Sequence, residues 1–534
     1  MKKPTIAWLS LLLAVIFLTG CVNLNGLARM AQQALGRLDS VKYEDMVYSR
    51  PDPAAVEQAL AEACQAAAGT DVEQILEKVY AFYDAYDSFY TNYSLADLHY
   101  SGDLTDTYWE AEYGNCVANS AAVDAALEKL YYALAASPCR DALESDDYFG
   151  PGFFESYDGE NLWNDEYTAM LEQEASLENR YYTLAAQAQT GGGDFYENGG
   201  NEMIDLLAEL IALRQQMAAY WGYDSYVEFA FDSYYSRDYT IGQISDYLGE
   251  IRQELVPLYR KLNRSDVWDE GYRPSTEENT FDYVSRMARK MGGTMAQAFD
   301  LLRDAGLYDI RYGRNKFDAS FEVYLASYGE PFVFMNPSGT VYDCLTFAHE
   351  FGHFCNDFAS GGSGAGIDVM EVFSQGMEYL SLCYAGQNSG LTRLKMADSL
   401  SLYVEQAAFS DFEMGMYGLS GADLCAEGLR ALYDQVAQRY GFDSAGYDNR
   451  EFVTINHFYT SPMYIISYVV SNDAALQLYQ MEQDEAGAGL RCLAENLDTP
   501  CVYFLEFLDT AGLESPFTPG RIQTVRDTFV EILQ

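Results

Sequence analysis

The sequence predicts a mainly α-helical protein with one small β-sheet near residue 330. Long stretches carry apolar residues at helical spacing, Val72–Tyr90 and Met203–Tyr220 among them. Two short β-prone runs, Phe321–Leu325 and Pro331–Met335, lie close together between turn residues. No internal repeat of fixed period interrupts this pattern. With 49% hydrophobic and 15% aromatic residues, the 534-residue chain can bury a large core despite a formal net charge of −49. That charge repels phosphate and excludes a nucleic-acid binder. A multi-pass membrane protein is also excluded, because the one long apolar run stands at the N-terminus.

That run comes first in chain order. Lys2 and Lys3 precede an uncharged stretch from Thr5 to Thr19, which ends in Leu18-Thr19-Gly20-Cys21. This is the pattern of an export signal over residues 1–20, with small residues before the cut. Its ending resembles a bacterial lipobox, in which Cys21 would be lipidated and become the mature N-terminus. The protein is therefore expected at the cell envelope of a bacterium, held to the membrane through its N-terminal lipid alone, since two acyl chains suffice for stable anchoring. Residues 21–45 read as a tether. The nine other cysteines are scattered, with no C-x-x-C pair, and read as small core residues rather than zinc ligands or a disulfide framework.

Pro51 and Pro53 open a long helical region through Ala54–Ala68, Val72–Tyr90, Val117–Ala136 and Asp165–Thr190. Thr190-Gly191-Gly192-Gly193 and Gly199-Gly200 break it, dividing an N-terminal helical lobe at 46–195 from a second region at 196–534. Stronger helical patterns follow over Met203–Tyr220, Ile241–Leu262 and Thr280–Ala305, then the β-prone runs, then helices from about Tyr342 to the end.

Only four histidines occur, at 99, 349, 353 and 457, so their placement is informative. Thr346-Phe-Ala-His349-Glu350-Phe-Gly-His353 is an H-E-x-x-H motif. On a helix, His349 and His353 project from one face toward a single ion, and Glu350 lies where it can take a proton from water at the metal. A hydrolytic zinc site uses three protein ligands. The residues immediately after His353, Phe354 to Ala359, hold no further histidine, which excludes the metzincin continuation and leaves a downstream carboxylate as third ligand. Glu371, in the first turn of a helix starting near Asp368, is the preferred choice. Asp357 and Asp368 compete, and Glu378, two turns beyond Glu371, suits a supporting role. His457 stands beside Tyr459, Tyr464 and Tyr468, groups that can donate hydrogen bonds to an oxyanion. His99 has no motif around it and reads as structural.

Four segments, in order, resemble the thimet oligopeptidase and oligoendopeptidase F group of zinc metallopeptidases: Leu207–Phe229, Phe332–His353, Met370–Glu378 and His457–Tyr468. The likeness covers roughly residues 200–534. It implies a two-lobed, neurolysin-like helical shell around a deep substrate channel, with a small sheet beside the zinc helix. It implies one zinc ion on His349, His353 and Glu371, with Glu350 as general base. Transition-state contacts from His457 and Tyr468 are implied too, with Tyr464 close by at the substrate. The implied activity is hydrolysis of internal bonds in short oligopeptides, by a monomer. Departures are Asn356, where the family has a third histidine, a short spacer from His353 to Glu371, and one extra residue between Tyr459 and Tyr464. A peptide-binding surface lipoprotein that has lost catalysis is the alternative, against which the intact Glu350 argues.

Overall fold

The computed structural model describes residues 40–533 apart from 146–147, 160, 263–264, 363, 387 and 443–446. The export signal, Cys21 and nearly all of the expected tether lie outside the described residues.

The chain begins with helices whose starts are written in the sequence. Asp52 caps α1 (Pro53–Ala67) by accepting the Ala54 N–H, and Pro53 occupies the first turn, where its missing donor costs nothing. Asp71 caps α2 (Val72–Gly102), Asp106 caps α3 (Thr107–Ala135) and Asn164 caps α4 (Asp165–Thr190), each through its side-chain oxygen. These helices pack on one another, and α4 also packs on α5 (Asn201–Tyr220). Further helices between Tyr226 and Ala305 lead into the sheet.

The sheet has three strands in the order β1 (Tyr308–Asp309), β3 (Glu330–Met335), β2 (Ser320–Leu325). β1 runs parallel to β3, and β2 is antiparallel to it, with Phe321 opposite Phe334 and Val323 opposite Phe332. The central strand is buried along its whole length. β2 and β3 lie against α6 (Tyr342–Ser360), the helix that carries the H-E-x-x-H motif. Gly361, in the left-handed conformation at φ 69°, ends α6 and turns the chain toward α7 (Ile367–Tyr384). α7 is buried along almost its whole length and lies between α6 and α9 (Ile466–Asp484), while α8 (Ser389–Met416) packs on α9.

This mainly helical fold with a small sheet beside the motif helix is the fold class the sequence predicts. The sequence patterns miss β1, whose two residues are too short to leave a period, and read Thr280–Ala305 as one helix where the structure has two, Glu277–Met291 and Gly293–Ala305. Among the described residues, no helix is long and apolar enough to cross a membrane, and the described cysteines form no disulfides.

Candidate active site

One glycine brings the motif helix and its neighbour together. A Cβ added to Gly352 would stand 2.5 Å from the Ser374 Cα and 2.7 Å from the Phe373 carbonyl oxygen. Only a residue without a side chain lets the backbones of α6 and α7 approach this closely. As a result Glu371, in the first turns of α7, faces His349 and His353 on α6. One potential ligand atom from each of the three lies within 4.8 Å of the others. His349 Nε2 is 3.5 Å from Glu371 Oε2, and His353 Nε2 is 3.8 Å from Oε1. Two imidazole nitrogens and a carboxylate converging in this way fit a zinc ion in chemistry and in number.

His349 and Glu371 are each held from behind. His349 Nδ1 lies 2.9 Å from Glu378 Oε1, which fixes the tautomer that leaves Nε2 free to bind. The other Glu378 oxygen accepts from Lys395 Nζ at 2.7 Å, and Lys395, on α8, is fully buried over the Tyr379 ring. Burial opposes ionisation of Glu378, but Lys395 and His349 outweigh it and hold its carboxyl below the usual range. Glu371 accepts from the Tyr464 hydroxyl at 2.6 Å and from Ser374 Oγ at 2.9 Å. In the metal-free site burial pulls His349 down, yet the three surrounding glutamates raise it to about 9. His353 is lowered, by burial and by the charge of His349.

Glu350 lies beside this cluster and is 5% exposed. Burial raises its carboxyl to about 7, His349 pulls it back, and Glu371 and Glu378 push it further up. A carboxylate there can take and return a proton near neutral pH. His457 Nε2 is 3.1 Å from the Tyr468 hydroxyl, and its ring stacks at a tilt near Tyr464, 5.3 Å between centroids. Burial lowers His457 to about 4, so its imidazole is neutral at physiological pH. Tyr464, rather than Tyr468, touches Glu371 directly.

The competing carboxylates point elsewhere. Asp368 accepts from the Tyr239 hydroxyl at 2.7 Å and pairs with Arg237. Asp357 lies against Glu322 of β2, where burial raises it to about 7. Asn356, which replaces the family's third histidine, donates to the Leu497 carbonyl at 2.7 Å. His99 stacks flat on Trp109 at 4.0 Å, a packing role. Sequence reasoning misses Lys395 and Arg237. The one available signal for Lys395 is that its sequence neighbours, Leu394 and Met396, are apolar.

Comparison with known proteins adds an independent line. Residues 43–182 match the family described as Peptidase M3 N-terminal domain. No curated protein matched the chain. Among solved structures, one assigned as oligoendopeptidase F is 19% identical, with a TM-score of 0.82, covering 92% of this chain and 99% of that one. PZ peptidase A with an inhibitor is 18% identical, with a TM-score of 0.81 and coverage of 92% and 99%. A protein assigned as oligoendopeptidase F from Bacillus anthracis str. Ames is 19% identical, with a TM-score of 0.78 and coverage of 93% and 98%. Residues 43–182 thus resemble a Peptidase M3 N-terminal domain, and the chain as a whole shares the fold of the solved oligoendopeptidase F structures.

Proposed function

We propose that this peptidase is a zinc-dependent endopeptidase that hydrolyses short oligopeptides at the cell surface, held there by a lipid on Cys21. The convergence of His349, His353 and Glu371 with Glu350 alongside carries this reading. A zinc ion held by those three residues would acidify water and polarise the scissile carbonyl. Glu350 accepts a proton from the attacking water and passes it to the leaving amine, as a carboxyl at about 7 permits in both directions. Glu378 and Lys395 fix the orientation of His349, and Tyr464 and Ser374 fix that of Glu371. His457 and Tyr468 donate to the oxyanion, a contribution of roughly 3–4 kcal/mol for a well-aimed donor.

Glu350→Gln tests the base. It is expected to abolish cleavage of a quenched peptide while zinc measured by elemental analysis stays at one ion per chain; cleavage at the parent rate would refute the assignment. Tyr468→Phe is expected to lower kcat by about 10²-fold with little change in KM, as for loss of one oxyanion donor. A rise in KM alone would move Tyr468 to ground-state binding. Membrane fractionation of the native protein beside a Cys21→Ala variant tests the anchor, and release of the variant alone is expected.

A further inference from the structure

The segment from His457 to Tyr468 carries the residues assigned to the oxyanion and to Glu371, and its backbone is strained. Met463 has φ 66°, a left-handed conformation rare for a side chain of this size. Among the described residues only Ser236 shares a positive φ without being glycine, at 47°. Both outliers bear on the same place. Ser236 sits between Tyr235, whose hydroxyl donates to the Pro462 carbonyl at 2.7 Å, and Arg237, which donates to Ser467 Oγ at 3.0 Å. Such strain persists only where surrounding groups over-determine the backbone, and it concentrates at functional sites.

At Met463 the determining group is Glu413. This residue of α8 is fully buried, and its Oε1 accepts the Met463 N–H at 2.7 Å. Without it a buried amide would lack its acceptor. Arg214, also fully buried, donates to the carbonyls of Phe458 and Tyr459 at the other end of the segment. The left-handed turn at Met463 immediately precedes Tyr464, whose hydroxyl meets Glu371, and Tyr468 follows one turn later beside His457.

We infer that Glu413 is a positioning residue, whose buried carboxyl clamps Met463 in the left-handed conformation and thereby sets Tyr464 on Glu371 and Tyr468 beside His457. The functional half of this inference rests on the peptidase reading above. Burial raises the Glu413 carboxyl to about 8 against the pulls of the Met463 N–H, Arg214 and Arg237, so a neutral isostere suits the site.

The test compares Glu413→Gln, Glu413→Asp and Glu413→Asp with Met463→Gly in the zinc-loaded full chain. Glutamine keeps the acceptor and is expected within about 3-fold of the parent in kcat. Aspartate, one methylene shorter, is expected to lower kcat about 10- to 100-fold, with zinc content and KM held within about 3-fold. Glycine at 463 adopts the turn without a clamp and is expected to restore at least half of that loss on a logarithmic scale. Equal losses in the Gln and Asp variants, or no loss in the Asp variant, would overturn the inference. A crystal structure of Glu413→Asp gives a readout free of activity: the Tyr464 hydroxyl is expected to leave Glu371. If the parent cleaves no peptide yet that hydroxyl moves, the clamp stands and the peptidase reading falls. If the hydroxyl stays in place, the clamp falls whatever the rates.

Discussion

Asp124 in α3 and Glu378 in α7 are both carboxylates enclosed by helices, and the protein treats them in opposite ways. Asp124 accepts hydrogen bonds from the hydroxyls of Tyr86 and Tyr90, with Glu128 one turn further along the same helix. Among the described residues, no lysine, arginine or histidine forms an ion pair with either acid. Burial raises Asp124 to about 7 and Glu128 well above the ordinary range. Glu378 instead lies between Lys395 and His349 and stays charged. A cation alone does not ensure this: Asp473 pairs with Arg521 and Glu178 with Arg214, yet burial outweighs the arginine and raises both carboxyls. The tyrosine-held acids are comfortable when neutral and make the N-terminal helices sensitive to pH. Glu378, held by both Lys395 and His349, keeps charge and direction, which orienting an imidazole requires.

The sharpest way to break this contrast is Lys395→Met. It leaves Glu378 buried without its cation, and zinc affinity by chelator competition is expected to fall about 10- to 100-fold. The metal-free fold is expected to lose about 3–5 kcal/mol. An unchanged zinc affinity would mean that Glu378 does not orient His349.

Asp124→Asn acts next. The folded protein holds the Asp124 proton more tightly than the unfolded chain does. As pH rises from about 4 through 7 the unfolded state loses its proton first, and stability falls until the folded carboxyl is also ionised. Thermal unfolding of the metal-free protein is therefore expected at lower temperature at pH 8 than at pH 5. The asparagine variant should remove up to about 3 kcal/mol of that difference. Parallel pH profiles for parent and variant would place the sensitivity elsewhere. The smallest effect is expected from Tyr90→Phe, which removes one hydrogen bond to Asp124. It should cost about 1 kcal/mol at pH 5 and more at pH 8, where the acceptor is charged.

The contrast also explains how much of the molecule is legible in its sequence. His349, Glu350 and His353 stand out because one helix turn fixes their spacing and histidine is rare in this chain. Glu371 is readable because the loop after α6 is short. The strands at 321–325 and 331–335 are readable from β-branched and aromatic residues. Lys395 is not, because a lysine in a helix is ordinarily solvated and only the packing of α8 against its neighbours buries it. Met463 is not, because nothing but the fold forces a left-handed turn on a methionine. Gly352 lies inside the motif, yet its role in admitting α7 appears only when the two backbones are seen together.

The first described residues have a consequence for how the protein can be shortened. The Val41 N–H donates to Glu330 at 3.2 Å, the Val47 N–H to the Tyr328 hydroxyl at 3.0 Å, and the Ser49 N–H to Asn92 at 2.7 Å. The Tyr43 ring lies 4.4 Å from that of Phe332, and Tyr48 and Arg50 both bond to Glu112. This stretch sews the sheet beside the motif helix to α2 and α3, closing a loop of 289 residues from Val41 to Glu330. A chain begun at Ser40 keeps every stitch, while one begun at Pro51 leaves Glu112 buried without its arginine and uncovers Phe332 on the central strand. The permissible N-terminal truncation therefore lies before Val41.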